Sequence, residues 1–172
     1  TIATVYAGDM LGNLWKFDLT TNTPSVKKLF AAGSGKPITG GVAVATHPVT
    51  GKRWVFFGTG RFLIDSDLKH NATQSMYGIV DEDALVAGTD LDVQNSPVVV
   101  GDRRSFQTKT ALEAGKKGWS VDLPISGERI VQDMQVVSTF LVSASMIPTG
   151  DACGADGRGY INALDAFTGT SA

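Results

Sequence analysis

The residues with the type and spacing for chemistry are few, and most are acidic. Asp90-Leu91-Asp92-Val93-Gln94-Asn95 alternates oxygen-bearing side chains, as a calcium-binding loop does. Its sixth position is Asn95, where the sharp turn of such a loop needs Gly, and its twelfth is Gly101, where a bidentate Glu belongs. A solvated loop is therefore the better reading. Asp65-Ser66-Asp67 and Asp81-Glu82-Asp83 are short acidic turns with no further spaced ligands. The stretch Asp151-Ala152-Cys153-Gly154-Ala155-Asp156-Gly157-Arg158-Gly159 is rich enough in Gly to cradle a phosphate, but it lacks the closing Lys-Ser/Thr and no helical pattern follows. It reads as a flexible hairpin loop. Ser34, between Gly33 and Gly35, lacks the spacing of a nucleophile elbow, and neither His47 nor His70 is near a candidate Ser or Cys in sequence. Asn71-Ala72-Thr73 has the form of a glycosylation acceptor and is read as chance. Cys153 is the sole cysteine, so no disulfide forms within the chain; it is either a bystander thiol or half of a bridge to upstream sequence, the bridge being favoured slightly if the protein is secreted. No residue is assigned a catalytic, cofactor-binding or metal-ligating role.

The elements that would position any of these groups are strands. Short runs rich in Val, Ile, Phe, Tyr and Trp, punctuated by Gly, Pro, Asn and Asp, predict strands at 5–10, 13–19, 25–31, 39–45, 53–59, 75–80, 97–100, 118–123, 130–137, 139–146 and 159–167. Asp9-Met10-Leu11-Gly12-Asn13 and His47-Pro48-Val49-Thr50-Gly51-Lys52 carry the turn residues of hairpins. Trp15, Trp54 and Trp119 fall within strands, where packing between sheets explains them better than a ligand platform. Residues 82–113 fit the rhythm worst and are predicted to be an inserted loop region, with a short helix near Ala84–Ala87.

An internal repeat organises the rest. Gly12-Asn13-Leu14-Trp15-Lys16-Phe17-Asp18-Leu19-Thr20-Thr21 aligns without gaps on Gly159-Tyr160-Ile161-Asn162-Ala163-Leu164-Asp165-Ala166-Phe167-Thr168. Trp119-Ser120-Val121-Asp122-Leu123 is a shorter match, and Tyr77-Gly78-Ile79-Val80-Asp81 a weaker one. The closing aspartates 18, 81, 122 and 165 suggest a period of about 40 to 50 residues, the signature of β-propeller blades.

Composition excludes several classes. With 15 Lys and Arg against 17 Asp and Glu, the chain is near neutral and lacks the basic footprint of a nucleic-acid binder. A hydrophobic fraction of 42% with low net charge argues against disorder. No apolar run reaches the ~18 residues of a membrane helix, and the opening Thr1-Ile2-Ala3-Thr4-Val5 is strand-like with neither a signal-peptide pattern nor an initiator Met. That opening suggests a piece of something longer.

Several linked motifs resemble the C-terminal propeller of PilY-type type IV pilus biogenesis factors, the tip-associated adhesins. They are Val5-Tyr6-Ala7-Gly8-Asp9-Met10-Leu11-Gly12-Asn13-Leu14-Trp15-Lys16-Phe17-Asp18-Leu19, Val55-Phe56-Phe57-Gly58-Thr59-Gly60-Arg61-Phe62-Leu63, Thr73-Gln74-Ser75-Met76-Tyr77-Gly78-Ile79, Gly118-Trp119-Ser120-Val121-Asp122-Leu123-Pro124 with Gly127-Glu128-Arg129, and Cys153-Gly154 through Asp165. The resemblance implies an all-β fold, a partial β-propeller of the modified, quinoprotein-like kind, in about three to four incomplete blades over 1–172. It implies a non-enzymatic role in pilus assembly, retraction control, twitching motility and surface attachment. The implied partners are pilins or other pilus assembly proteins and a host or abiotic surface, and the implied location is the bacterial cell surface or pilus. Many members hold calcium in a loop just before the strand equivalent to Val5-Tyr6-Ala7-Gly8-Asp9. That loop would lie upstream of Thr1, so none of its ligands carries over to this sequence.

Two other readings share the Asp-closed repeat. One is a fragment of a pyrroloquinoline-quinone-dependent dehydrogenase, which would need cofactor-contacting Arg, Asn and Asp and often paired cysteines. The other is a generic interaction propeller, whose usual Gly-His and Trp-Asp pairs are absent. At about 45 residues per blade the length gives an arc cut from a larger ring, with open strand edges and a tendency to associate.

Overall fold

The structure, a computed structural model, describes residues 3–149 and 156–171. Thirteen strands and two short 3-10 turns make up its regular elements. The first sheet is an antiparallel meander of β1 (Thr4–Gly8), β2 (Asn13–Asp18) and β3 (Ser25–Ala31). The second runs β4 (Ala43–Thr46), β5 (Arg53–Gly58), β6 (Ser75–Val80), β10 (Gly118–Asp122) and β7 (Asp92–Gln94), with β7 parallel to β10. The third is the meander β11 (Gln135–Val137), β12 (Phe140–Thr149) and β13 (Asp156–Asp165). A separate hairpin pairs β8 (Val98–Val100) with β9 (Arg103–Ser105). The chain is all-β, and among the described residues no sheet closes on itself.

The unbroken apolar run Trp54-Val55-Phe56-Phe57 shows why the second sheet is central. A strand with one wet face alternates apolar and polar, whereas one buried on both faces does not. Trp54, Phe56, Met76 and Val80 join Leu141 and Leu164 of the third sheet, and Ala166 and Phe167 of the turn after β13, in one core. Val55, Phe57, Tyr77 and Ile79 face the other way and join Leu14, Leu29 and Phe30 of the first sheet. Tyr77 packs 5.1 Å from both Phe30 and Phe57, and Trp54 meets Phe167 edge-on at 5.6 Å. Three sheets are thus stacked face to face, each interface filled by aromatic rings.

The two interfaces repeat one joint. Gly8, ending β1, presses against Ile38, and Gly58, ending β5, presses against Ile130; at either place a Cβ would overlap the isoleucine. Ile38 and Ile130 each lie just ahead of the first strand of the next sheet. The second interface adds a wedge. Trp119 is fully buried, donates its indole N–H to the Ala166 carbonyl at 2.8 Å, and lies against Gly169, which has φ +70°.

The structure corrects the register of the repeat. Asp18, Asp81 and Asp165 each follow or end a strand and accept the amide two residues on, from Thr20, Asp83 and Phe167 at 2.8–2.9 Å. That contact closes the turn. Asp122 makes no such turn; its carboxylate takes the hydroxyl of Ser75 and the ammonium of Lys36. β10 lies beside β6 in the same sheet, so Asp81 and Asp122 do not mark successive units. The weaker sequence match at Tyr77 is the equivalent one, and the shorter match at Trp119 is not.

Other boundaries move as well. No helix forms at Ala84–Ala87; a 3-10 turn follows at Gly88–Asp90, where Ala87 and Leu91 are both extended. The strand expected over 39–45 is only Ala43–Thr46, because Ile38 is engaged with Gly60 in a separate bridge. The strand expected over 130–137 is only Gln135–Val137. Gly157 and Gly159, expected in a loop, are inside β13; Cys153 and the rest of 150–155 fall outside the described residues. Among the described residues no helix is long and apolar enough to cross a membrane.

Candidate functional site

The loop between β5 and β6 combines surface exposure with an unusually rigid foundation. Its residues Phe62, Leu63 and Ile64 are 43%, 66% and 59% exposed. Burying such side chains would stabilise the protein by about 1.5 kcal/mol or more each, so their exposure is held against that tendency. What holds it is charge from below. Arg129, 2% exposed, donates from Nε to the Gly127 carbonyl at 2.9 Å, and from its terminal nitrogens to the carbonyls of Arg61, Asp67 and His70 at 3.0, 2.6 and 2.9 Å. Burial pulls the Arg129 pKa down from its ordinary value, opposed by the nearby Asp67 carboxylate.

Asp67 holds the loop from the other side. It opens toward Arg61, whose Nε donates to Oδ1 at 2.7 Å, and toward the amides of Leu63 and Ile64, which donate to Oδ2 at 2.9 and 3.1 Å. Burial would raise this carboxyl, but the Leu63 amide, Arg61 and the Ile64 amide outweigh it and hold it below the ordinary value. A 3-10 turn over Asp65–Lys69 completes the loop. The site is thus an apolar tip fixed from below by buried groups of both signs, Arg129 and Asp67.

Elsewhere the charged residues brace strands. Asp9 caps the β1–β2 turn. Burial would raise its carboxyl, but the indole of Trp15, the Asn13 side chain and the amides of Asn13 and Leu11 bring it down to about 2. Arg104 on β9 forks onto the fully buried Glu128 at 2.7 and 3.1 Å, donates to Asn162 at 2.9 Å and stacks 3.7 Å from the Tyr160 ring centroid. That network pins the β8–β9 hairpin onto β13. Lys16 and Tyr6 reach from the first sheet to Asp81 in the second, at 2.8 and 2.5 Å.

The residues singled out in the sequence fall into this bracing. Asp92 does not lie in a solvated loop: it is buried on β7, its carboxylate taking the Lys109 ammonium and the Glu113 amide. Gln94 donates to the Thr168 carbonyl at 3.0 Å, and Asp90 takes the Ala87 amide at 3.2 Å. Asp83 takes Lys27 and Lys16. Asp67 is buried rather than solvated, the one acidic turn residue whose position matters to the site. Trp54 and Trp119 pack between sheets as expected, but Trp15 is only half-buried, donating to Asp9 with Lys28 over its ring at 5.0 Å.

His47 lines a cleft of about 410 Å³ with Trp54, Phe167, Lys52 and Glu82. Its Nδ1 accepts the amides of Val49 and Thr50, which makes it a turn residue. Ser34 and His70, far apart in sequence, line one small concavity with Arg61, yet no hydrogen bond joins them among the described residues. Arg129 stood in the sequence only as the end of the Gly127-Glu128-Arg129 motif; nothing there pointed to its role, because three of its four carbonyl partners are about 60 residues away.

No family profile matches the chain. It is 34% identical, over 96% of its length, to a type IV pilus biogenesis factor PilY1 homolog of Xylella fastidiosa, of which it spans 14%. It is 23% identical over 95% of its length to PilY1 of Pseudomonas aeruginosa, spanning 19% of that protein. Its fold is that of the crystal structure of the Pseudomonas aeruginosa PilY1 C-terminal domain, with a TM-score of 0.76 and 19% identity over 97% of this chain and 44% of that one. The chain therefore spans under a fifth of the curated relatives it matches.

Proposed function

The chain belongs to the PilY1-type family of type IV pilus biogenesis factors, and from that premise we propose that it is a non-enzymatic contact segment of such a factor, an arc of a quinoprotein-like β-propeller that meets other proteins or surfaces through its loops. The observation that carries the arc is the repeated joint. Gly8 on Ile38 and Gly58 on Ile130 join three face-stacked sheets through the same glycine–isoleucine contact, which supports reading the sheets as equivalent blades. The Asp-closed strands at 18, 81 and 165 recur once in each sheet.

Contact function follows from where rigidity is placed. Loops on a fixed β scaffold carry recognition, and the Gly60–His70 loop presents apolar side chains that buried charges keep from collapsing. In this reading the segment works at the bacterial surface, with pilins, other assembly proteins or an external surface as partners. It supports pilus assembly, retraction control, twitching and attachment.

The test is removal of the codons for this 172-residue segment from the full-length gene in its own host. Loss or marked reduction of surface pili and twitching is expected; normal pili and normal twitching would contradict the proposal. Dye-linked alcohol oxidation by the full-length protein on adding pyrroloquinoline quinone and calcium would favour the dehydrogenase reading instead.

A further inference from the structure

Between the β1–β2 turn and the braced loop lies a concavity of about 120 Å³ walled by Met10, Ser34, Gly35, Pro37, Arg61 and His70. Each of its polar side chains can donate a hydrogen bond. Arg61 gives only Nε to Asp67, so its two terminal nitrogens have no partner among the described residues. The Ser34 hydroxyl and the His70 ring likewise have none. No carboxylate lines the space. Asp67 is engaged with Arg61 and two amides, and Lys36, next to Gly35, is engaged with Ser75 and Asp122. Asp65 lies instead along the apolar side of the loop, with Phe62, Leu63, Ile64 and Leu68.

A planar guanidinium fixed by a buried carboxylate is suited to bidentate recognition of a second carboxylate, since its fork is already oriented and loses little freedom on binding. A hydroxyl and an imidazole beside it add two further donors. The apolar surroundings restrict what brings the acid in. Met10 and Leu11 are 42% and 63% exposed on one side, and the tip Phe62–Ile64 on the other. A small free anion would gain nothing from those surfaces, whereas an acid with apolar neighbours would cover them.

We propose that this concavity takes the side-chain carboxylate of an acidic residue in an apolar-flanked segment of a partner protein. The identity of the partner rests on the contact-surface reading above; the chemistry of the pocket does not.

The probe is 3-phenylpropionate, a carboxylate on a short aromatic arm, titrated into the ¹⁵N-labelled protein to about 50 mM, well above the millimolar Kd of a weak small-ligand contact. Saturating shifts are expected at the amides of Ser34, Gly35, Arg61, Phe62 and His70, and not with 3-phenylpropionamide. Arg61→Gln should weaken binding about tenfold, as loss of a charge-assisted fork does. Because that variant loosens the loop, Ser34→Ala is measured beside it and should weaken binding about two- to threefold with the loop amides unshifted. Equal response to the amide, no shifts at the top of the titration, or unchanged affinity in both variants would overturn the proposal. Shifts of equal size from inorganic phosphate at matched ionic strength would overturn it in favour of a bare anion site. Carboxylate binding with normal pili in the deletion strain would sink the pilus role alone; pilus loss without carboxylate binding would sink the pocket alone.

Discussion

The junction around Trp119 is held mainly by apolar contact, with a few hydrogen bonds such as those from Trp119 to the Ala166 carbonyl and from Gln94 to the Thr168 carbonyl, whereas the Gly60–His70 loop is held chiefly by the charged groups of Arg129, Arg61 and Asp67. The junction buries its aromatic rings. The loop does the reverse, burying Arg129 and Asp67 so that Phe62, Leu63 and Ile64 stay out. Apolar packing is non-directional and fills space; buried charge is directional and fixes a backbone in one shape. The molecule uses the first for its scaffold and the second for the surface it presents.

That division predicts effects of very different size. Trp119→Ala should be the most damaging change, costing about 3–5 kcal/mol through lost burial and the cavity left against Gly169, measured as a fall in the urea midpoint of the whole domain. Arg129→Met keeps much of the volume but takes the side-chain donor from four carbonyls; among the described residues only that of Asp67 keeps another hydrogen-bond partner, the His70 amide. A loss of about 2–3 kcal/mol is expected, and near-ultraviolet circular dichroism from the core aromatics should remain native. Equal collapse of core and loop in that variant would erase the distinction between the two regions.

A smaller effect tests the turn that flanks the loop. Asp9 titrates at about 2 in the folded chain, below its ordinary 3.8. Its contribution is therefore present above about pH 4 and is lost as pH falls from there to about 2. Partly screened by solvent, it is worth about 1 kcal/mol, so Asp9→Asn should flatten that acid limb in urea titrations run between pH 2 and 5. The smallest effect belongs to the tip itself. Leu63→Ser, at a side chain 66% exposed, should change stability by less than about 0.5 kcal/mol.

Much of the scaffold was legible in the sequence, and the reason is local. Strand periodicity and turn residues at Asp9–Asn13 and His47–Lys52 depend on neighbours, and β1, β2, β3, β5, β6 and β10 follow them. The repeat was visible but its register was not. Trp119-Ser120-Val121-Asp122 looks more like Trp15-Lys16-Phe17-Asp18 than Tyr77-Gly78-Ile79-Val80-Asp81 does, yet only strand order shows which aspartate closes the equivalent strand. β7 and β9 were missed because their residues are polar: Asp92 and Arg104 are buried only through Lys109 and Glu128. The loop was least legible of all. Arg61 and Asp67 are six residues apart and hint at a pair, but Arg129 acts on carbonyls, which have no sequence identity.

Amide hydrogen exchange tests most directly whether buried charge keeps the loop in shape. The amides of Leu63, Ile64, Asp67 and His70 are bonded within the loop, to the Asp67 carboxylate and to the carbonyls of Ile64 and Asp67. They should exchange slowly despite the exposure around them, and Arg129→Met should release all four while the β5, β6 and β10 amides stay protected. Fast exchange at these four positions in the unaltered protein, or unchanged protection in the Arg129→Met variant, would contradict it.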